Sequence, residues 1–433
     1  MNRANTAHQT ISTIGTQIGL FVVSTIIGII VTRILGPEGK GLYFLAISLS
    51  TLCLIVVKSS IEVSGTYFVG KKGRKIQELP GHYLFSTILV TAITYLVLGI
   101  LWPSIHTTLF PGLPAIYAII ALTALPSSLI ILYFASILMI PNLVGKYNRL
   151  FLVQGAITTL LLFLLTIVVR GGVLGALIAW SVGLALTAIY VIIVVHYQIQ
   201  PSYKVSKHFL VQLFTFGLKG HMGEIADYFI DRTDALLINY FLGAVNVGYY
   251  AAALTAELLW YIPNSIIAIL YPKFSHDTGD TLALAKQACR ITLFVTVIPG
   301  IGLMILAKPL ILLAFGSVFL PAVWPMIIAV PGVVSLSVSK CLKIFLSSQG
   351  LPLPASYASF IAFAFNLILN IIFIPRYGLV AAAIIGSLSY IIYAAAIFIQ
   401  FSWRFKASLR ETILIKSEDF RLMKRLLLSK SAS

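Results

Sequence analysis

Apolar residues run along this chain in blocks of about twenty, separated by short polar stretches, the length needed for helices that cross a bilayer. The pattern predicts spans near 10–32, 42–70, 82–105, 113–140, 148–169 and 173–195. A polar linker, QIQPSYKVSKH, follows at 198–208. Further spans are expected near 209–240, 245–271, 288–307, 322–348, 355–374 and 378–402. That makes about twelve helices, so the expected fold class is an all-α polytopic membrane protein. Proline falls inside several blocks, at Pro126, Pro263, Pro299 and Pro331, and the helices are expected to be interrupted there.

One block breaks the apolar rule. Residues 216–250 read FGLKGHMGEIADYFIDRTDALLINYFLGAVNVGYY and contain Glu224, Asp227, Asp231 and Asp234. At about 100° per residue, these acids fall within an arc of about 80° on a helix. Tyr228, His221 and Arg232 extend the same face. The acids spread over about 15 Å of helix axis, and each costs roughly 2.5–3.5 kcal/mol near a bilayer centre. This face is therefore expected to meet a water-filled cavity or partner charges and to wall a polar interior.

The chain also repeats itself. Leu35-Gly36-Pro37-Glu38-Gly39-Lys40-Gly41-Leu42-Tyr43 and Leu242-Gly243-Ala244-Val245-Asn246-Val247-Gly248-Tyr249-Tyr250 share LGxxxxGxY at an offset of about 207 residues. Arg170-Gly171-Gly172-Val173 and Arg376-Tyr377-Gly378-Leu379 agree at about 206. The expected division is a six-helix lobe at 1–197, a linker at 198–208, a second six-helix lobe at 209–402 and a basic amphipathic tail at 403–433. An even number of spans per unit relates the lobes by a pseudo-two-fold axis along the membrane normal. The repeat counterparts of the four acids are Gln17, Leu20, Ser24 and Ile27, so the acidic face belongs to the second lobe alone. The first lobe's interior charges are Lys58 and Glu62, spaced to share a helix face.

Only 10% of the 433 residues are charged, too few to cover a soluble surface. The net charge of +17 raises nucleic acid as a partner, but its distribution argues for topology instead. Alternate loops and the tail carry Arg3, Lys71, Lys72, Arg74, Lys75, Lys146, Arg149, Lys204, Lys207, Lys273, Lys286 and Arg290, and then eight cations beyond Trp403. The other loops carry Arg33, Lys40, Arg170, Lys308 and Arg376. Both termini are thus expected in the cytoplasm, with no nucleic-acid partner. Cys53, Cys289 and Cys341 show no metal or redox spacing, and no metal or cofactor is expected.

Several motifs in order carry a resemblance. They are RILGPEGKGLY at 33–43, Arg232-x-Asp234 followed by LINYFLGAVNVGYYAAA, YPKFS at 271–275, FGSVF at 315–319, and Asn366 and Asn370 leading into Ile374-Pro375-Arg376-Tyr377-Gly378. Together they resemble the polysaccharide-transport branch of the MOP superfamily, the Wzx-type O-antigen and capsule repeat-unit flippases, over nearly the whole chain to Trp403. Lipid II flippases and MATE exporters are more distant relatives. The resemblance implies alternating access by a non-enzymatic transporter of the cell membrane. Its substrate would be an undecaprenyl-diphosphate-linked oligosaccharide, with membrane lipid, a polysaccharide polymerase and a chain-length regulator as partners. The alternatives are a MATE-like cation-coupled exporter, disfavoured by the missing acid in the first span, and a membrane polymerase, disfavoured by short external loops with His106 as their only histidine.

A diphosphate asks for cations. Arg232 and Lys58 are the first candidates, followed by Lys340, Lys343 and Lys219. Asn366 and Asn370, one turn apart, suit sugar hydroxyls or interhelical hydrogen bonds. Glu224, Asp227, Asp231, Asp234, Glu62, Glu257 and His221 are candidates for charge balance or for coupling to H⁺ or Na⁺. As counter-ions, Asp231 or Asp234 would serve Arg232 and Glu62 would serve Lys58. For coupling, Glu224 and Asp227 come first, being near mid-span without an obvious cation one turn away.

Overall fold

The computed structural model describes residues 3–139, 143–264, 266, 281–349, 351 and 353–421. Among these residues every regular element is helical. In chain order they are α1 (Arg3–Val57), α2 (Ile61–Lys72), α3 (Leu79–Thr108), α4 (Ala115–Leu138), α5 (Val144–Leu162), α6 (Gly172–Ile199), α7 (Lys207–Leu242), α8 (Ala244–Ala253), α9 (Thr281–Ala314), α10 (Val323–Ser348), α11 (Leu353–Phe405) and α12 (Leu409–Ile413). A π-helical stretch, Phe163–Val168, extends α5, and a 3₁₀ stretch, Leu254–Trp260, extends α8. Residues 271–275 and the tail cations Lys424, Arg425 and Lys430 lie outside the described residues.

Eight helices among the described residues are long and apolar enough to cross a membrane. The chain is a multi-pass membrane protein. α7 has 36 residues, but its charges keep it out of that set. Two of the eight are too long for one pass. Gly15–Val57 has 43 residues and Ala355–Phe405 has 51, so at ~1.5 Å per residue each exceeds twice the ~30 Å hydrocarbon layer. Each divides at a glycine in the left-handed region: Gly36 (φ 65°, ψ −177°) in α1 and Gly378 (φ 62°, ψ −143°) in α11. Their repeat partners, Gly243 (φ 81°) and Gly172 (φ 55°), also have positive φ. A side chain is disfavoured in that region, which is why glycine marks these turns.

The expected interruptions at proline are not found within α4, α9 and α10, which run through Pro126, Pro299 and Pro331. Proline removes one donor and crowds the preceding turn, and neighbours can re-satisfy the groups it frees. Beside Pro331, the Gly332 N–H donates to Ser387 Oγ at 2.9 Å. The backbone instead opens between α1 and α2, where Ser59 (φ 50°) and Ser60 (φ 46°) leave the helical region.

Buried apolar side chains form two clusters. One gathers residues from Val31 to Leu213 with additions such as Ile238, Val247 and Ile374. The other holds Ile230 and residues from Ala252 to Ala407. α1 meets α8 through the repeated motif. A Cβ on Gly41 would lie 1.8 Å from the Ala244 carbonyl oxygen, and a Cβ on Gly248 would lie 1.8 Å from that of Pro37. Gly41 corresponds to Gly248 in the repeat and Pro37 to Ala244, so the contact is reciprocal. The linker before α7 is also tied down. Ser202 N–H donates to the Gln77 carbonyl at 2.8 Å and Ser206 N–H to His82 Nε2 at 2.9 Å.

Candidate substrate and coupling site

The opened backbone after Val57 exposes carbonyls that a helix would satisfy, and side chains take them up. His221 Nε2 bonds the Val56 carbonyl at 3.1 Å, Ser59 Oγ the Val57 carbonyl at 3.2 Å, and Tyr133 OH the Lys58 carbonyl at 2.9 Å. At membrane depth such repairs are obligatory. The break turns Lys58 inward, where its Nζ lies 2.9 Å from Glu62 Oε1 and 2.5 Å from Glu224 Oε2. Ser60 Oγ lies 3.1 Å from Glu224 Oε2 and 3.0 Å from His221 Nδ1. Ser60 has one proton for two acceptors. Both bonds are therefore made together only when His221 Nδ1 donates to Ser60 Oγ.

The four acids of α7 meet different partners. Glu224 reaches across to Lys58. Asp227 accepts from Lys343 Nζ and Ser359 Oγ. Asp231 accepts from Tyr390 OH at 3.0 Å. Asp234, 5% exposed, accepts from Tyr250 OH at 2.7 Å and Asn370 Nδ2 at 2.6 Å, and Asn370 Nδ2 also donates to Asn366 Oδ1 at 2.9 Å. Gly386 gives the Asp234 carboxylate room, since a Cβ there would lie 2.5 Å from its Oδ2. Glu224 and Asp227 therefore have lysines, whereas the side-chain hydrogen-bond donors to Asp231 and Asp234 are neutral.

A cavity of about 1200 Å³ lies between α1, the α8 region and α9, lined mainly by apolar side chains such as Phe21, Phe44, Leu258, Leu303 and Met326. Arg232 and Glu257 stand in its wall, with Arg232 Nη1 3.5 Å from Glu257 Oε1 and 3.1 Å from the Asp231 carbonyl. The guanidinium also sits over the Phe44 ring, 5.7 Å from its centre. Asp231, Asp234 and Glu257 share a second, narrow void with Tyr250 and Tyr390.

Several expectations are corrected by this geometry. The acidic face of α7 does not line the large cavity; Glu224 and Asp227, half-buried, meet the expected partner charges in Lys58 and Lys343, while Asp231 and Asp234 meet hydroxyl and amide donors. Arg232 pairs with Glu257, brought close by the α8 region, and not with the carboxylate of Asp231 or Asp234. Glu224 and Asp227 have cations after all, supplied by other helices. Asn366 and Asn370 are fully buried and hold Asp234, so sugar cannot reach them in this conformation. Lys343 turns inward to Asp227, and Lys340 Nζ sits 4.0 Å above the centre of the Trp260 ring. Lys219 is exposed, away from these groups.

Sequence reasoning missed the donors Ser60, Tyr250, Ser359 and Tyr390, whose isolated hydroxyls look like ordinary residues of apolar helices. It counted Arg33 and Lys40 as loop charges, although both line the cavity. Their position either side of Gly36 was the available signal.

The model of the family described as "Polysaccharide biosynthesis protein" matches residues 30–324. Two curated proteins are similar over part of the chain. An uncharacterized membrane protein of Methanocaldococcus jannaschii is 25% identical over 194 residues, 43% of this chain and 38% of that protein. The probable low-salt glycan biosynthesis flippase Agl15 of Haloferax volcanii is 24% identical over 197 residues, 44% of this chain and 41% of that protein. The chain thus spans under half the length of these relatives. Among solved structures, the lipid II flippase MurJ in an inward closed conformation superposes with a TM-score of 0.71 at 18% identity, covering 98% of this chain and 93% of that one. An inward-facing MATE family multidrug resistance transporter of the MOP superfamily gives 0.66 at 14% identity, with 92% and 98% covered. These two likenesses establish the fold.

Proposed function

The chain belongs to the family of polysaccharide biosynthesis proteins, and on that premise we propose that it is a flippase for undecaprenyl-diphosphate-linked oligosaccharide repeat units. It carries them across the cytoplasmic membrane for surface polysaccharide assembly, by alternating access between lobes at 1–197 and 209–402. The termini and the basic loops face the cytoplasm, and the delivered units pass to a polymerase under a chain-length regulator. The observation that carries this reading is Arg232 standing in a mostly apolar cavity of about 1200 Å³ within a membrane-embedded bundle. A guanidinium there offers the diphosphate a fork of donors. The apolar walls suit the lipid next to the phosphates.

Lys58 is the second phosphate candidate, released when its bridge to Glu224 opens. For coupling, the neutral hydrogen-bond donors of Asp234 favour it over Glu224 and Asp227, which are paired with lysines. A buried carboxylate held by hydroxyl and amide donors can bind H⁺ or Na⁺ without first breaking an ion pair. Deleting the gene tests the function. Undecaprenyl-linked repeat units should accumulate on the cytoplasmic face. Accumulation of unpolymerised units on the outer face, or of a small-molecule drug in the cell, would overturn the reading.

A further inference from the structure

Two cations in the cavity wall are left over once Arg232 is matched with Glu257. Arg33 and Lys40 stand on the two limbs of α1, either side of the turn at Gly36, and both line the large cavity. Among the described residues neither forms an ion pair with a carboxylate. Arg33 Nη1 reaches the Leu313 carbonyl at 3.4 Å, a long bond that leaves most of its fork unused. The same cavity is lined by Phe44, Leu306, Leu310 and Phe315. Arg33 is exposed and Lys40 half-buried at this wall, and two cations without a carboxylate on opposite sides of one turn point to a visiting anion.

Depth separates this pair from Arg232. The turns at Gly36 and Gly243 adjoin, since Pro37 and Ala244 each touch the other's motif. Arg232 lies eleven residues before Gly243 on α7, about 16 Å along the axis, whereas Arg33 and Lys40 lie within about 6 Å of Gly36 along theirs. At Ser24, about 14 Å deeper than Arg33, the cavity is crossed by a bond from Ser24 Oγ to Tyr261 OH at 2.7 Å, with Phe21 edge-on to Tyr261. The Arg33–Lys40 end is thus on the far side of that bond from the deeper part of α1.

We propose that Arg33 and Lys40 form a second phosphate station, shallower than Arg232, which takes the diphosphate of the polyisoprenoid carrier after it crosses while the apolar wall holds its first isoprene units. This rests on the flippase reading. The sequence of stations gives the diphosphate one partner about 16 Å from the adjoining turns and another close to them, so it need not pass from Arg232 directly into lipid.

The test uses the full chain in nanodiscs, with farnesyl diphosphate as the probe and farnesol as its uncharged control. Binding is measured on an Arg232→Gln background, so that the deeper cation does not contribute. Adding Arg33→Gln and Lys40→Gln should weaken farnesyl diphosphate binding by about tenfold or more, from the loss of two charge-assisted contacts, and leave farnesol binding unchanged. Arg33→Lys with Lys40→Arg should restore most of the affinity, which separates lost charge from lost folding. Unchanged affinity in the Gln variants would overturn the proposal. So would equal displacement of the probe by phosphatidylglycerol, which would make the site one for ordinary outer-leaflet lipid. The deletion phenotype is read separately. If lipid-linked units accumulate but the Gln variants bind normally, only the second station falls; if none accumulate, the flippase reading itself falls.

Discussion

Lys58 is the residue on which the interior charges balance. It holds Glu62 at 2.9 Å and Glu224 at 2.5 Å, with its own side chain about 10% exposed. Removing it leaves two carboxylates without their cation, whereas neutralising Glu224 leaves the Lys58–Glu62 pair intact. Lys58→Ala should therefore cost roughly 3–5 kcal/mol of stability and Glu224→Gln about 1 kcal/mol, as read from unfolding in detergent. Similar losses in both would mean that Glu62 alone does not satisfy the lysine. Asp234 poses a different question, because its hydrogen-bond donors, Tyr250 and Asn370, are neutral. Asp234→Asn keeps the size and hydrogen-bonding reach of the side chain but fixes it uncharged. Transport in vesicles should then lose most of its response to an imposed ion gradient while the protein stays folded, and a gradient response equal to that of the native protein would exclude Asp234 as the coupling group.

At the scale of elements, the described part of the tail forms the short helix α12 and docks on α9. Arg290, buried on α9, donates from Nε to Asp419 Oδ2 at 2.6 Å and from Nη2 to Oδ1 at 2.9 Å, and Gln287 adds a bond at 3.0 Å. Burial raises the Asp419 pKa, but the hydrogen bonds from Arg290, the Lys416 backbone and Gln287 outweigh it and leave it below the ordinary carboxylate value. A folded pKa below the unfolded one means that the docking contribution is present above about pH 4 and is lost as pH falls through the folded value. Protection of 409–421 against hydrogen exchange, relative to the unstructured chain, should be high at neutral pH and fall below about pH 4. Asp419→Asn should lower it at neutral pH as well, because Arg290 is left buried without its carboxylate; retained protection in that variant would show that packing, such as Phe420 against Phe294, holds the tail by itself. This docking was not visible in the sequence, which shows a basic amphipathic tail but not the partner of its one buried acid. The spans were legible because a bilayer demands long apolar blocks, and the turns at Gly36 and Gly243 because a repeated glycine reports a backbone need. The break at Lys58–Ser60 was not legible, because what makes it tolerable is His221 and Tyr133, supplied by distant helices. For the same reason the chemistry-bearing residues of α7 could be named but their partners could not.

For the molecule as a whole, two contacts between the repeat units lie at different depths. The Lys58–Glu224 bridge lies deeper, and the reciprocal packing of Gly41 on Ala244 and Gly248 on Pro37 lies at the Gly36 and Gly243 turns. Alternating access requires such contacts to open in turn, and backbone packed against glycine has little tolerance for an added methyl group. Ala at Gly248 would place a Cβ 1.8 Å from the Pro37 carbonyl oxygen, so the contact must separate or shift. Overpacking of this kind typically costs about 1–3 kcal/mol, enough to move a two-state population about tenfold for every 1.4 kcal/mol. Gly248→Ala should therefore favour the form open at that end. Spin labels on the exposed Glu38 and Val245 would report it as a longer distance, with transport reduced. Gly70→Ala is the control, because a Cβ there meets no other atom within 4 Å, and it should change neither the distance nor transport. If Gly248→Ala leaves the label distance and transport as they were, the glycine contact is fixed packing and the opening occurs elsewhere. If the distance grows while transport is retained, closure at this end is not needed for the cycle, and the Lys58–Glu224 bridge carries the alternation alone.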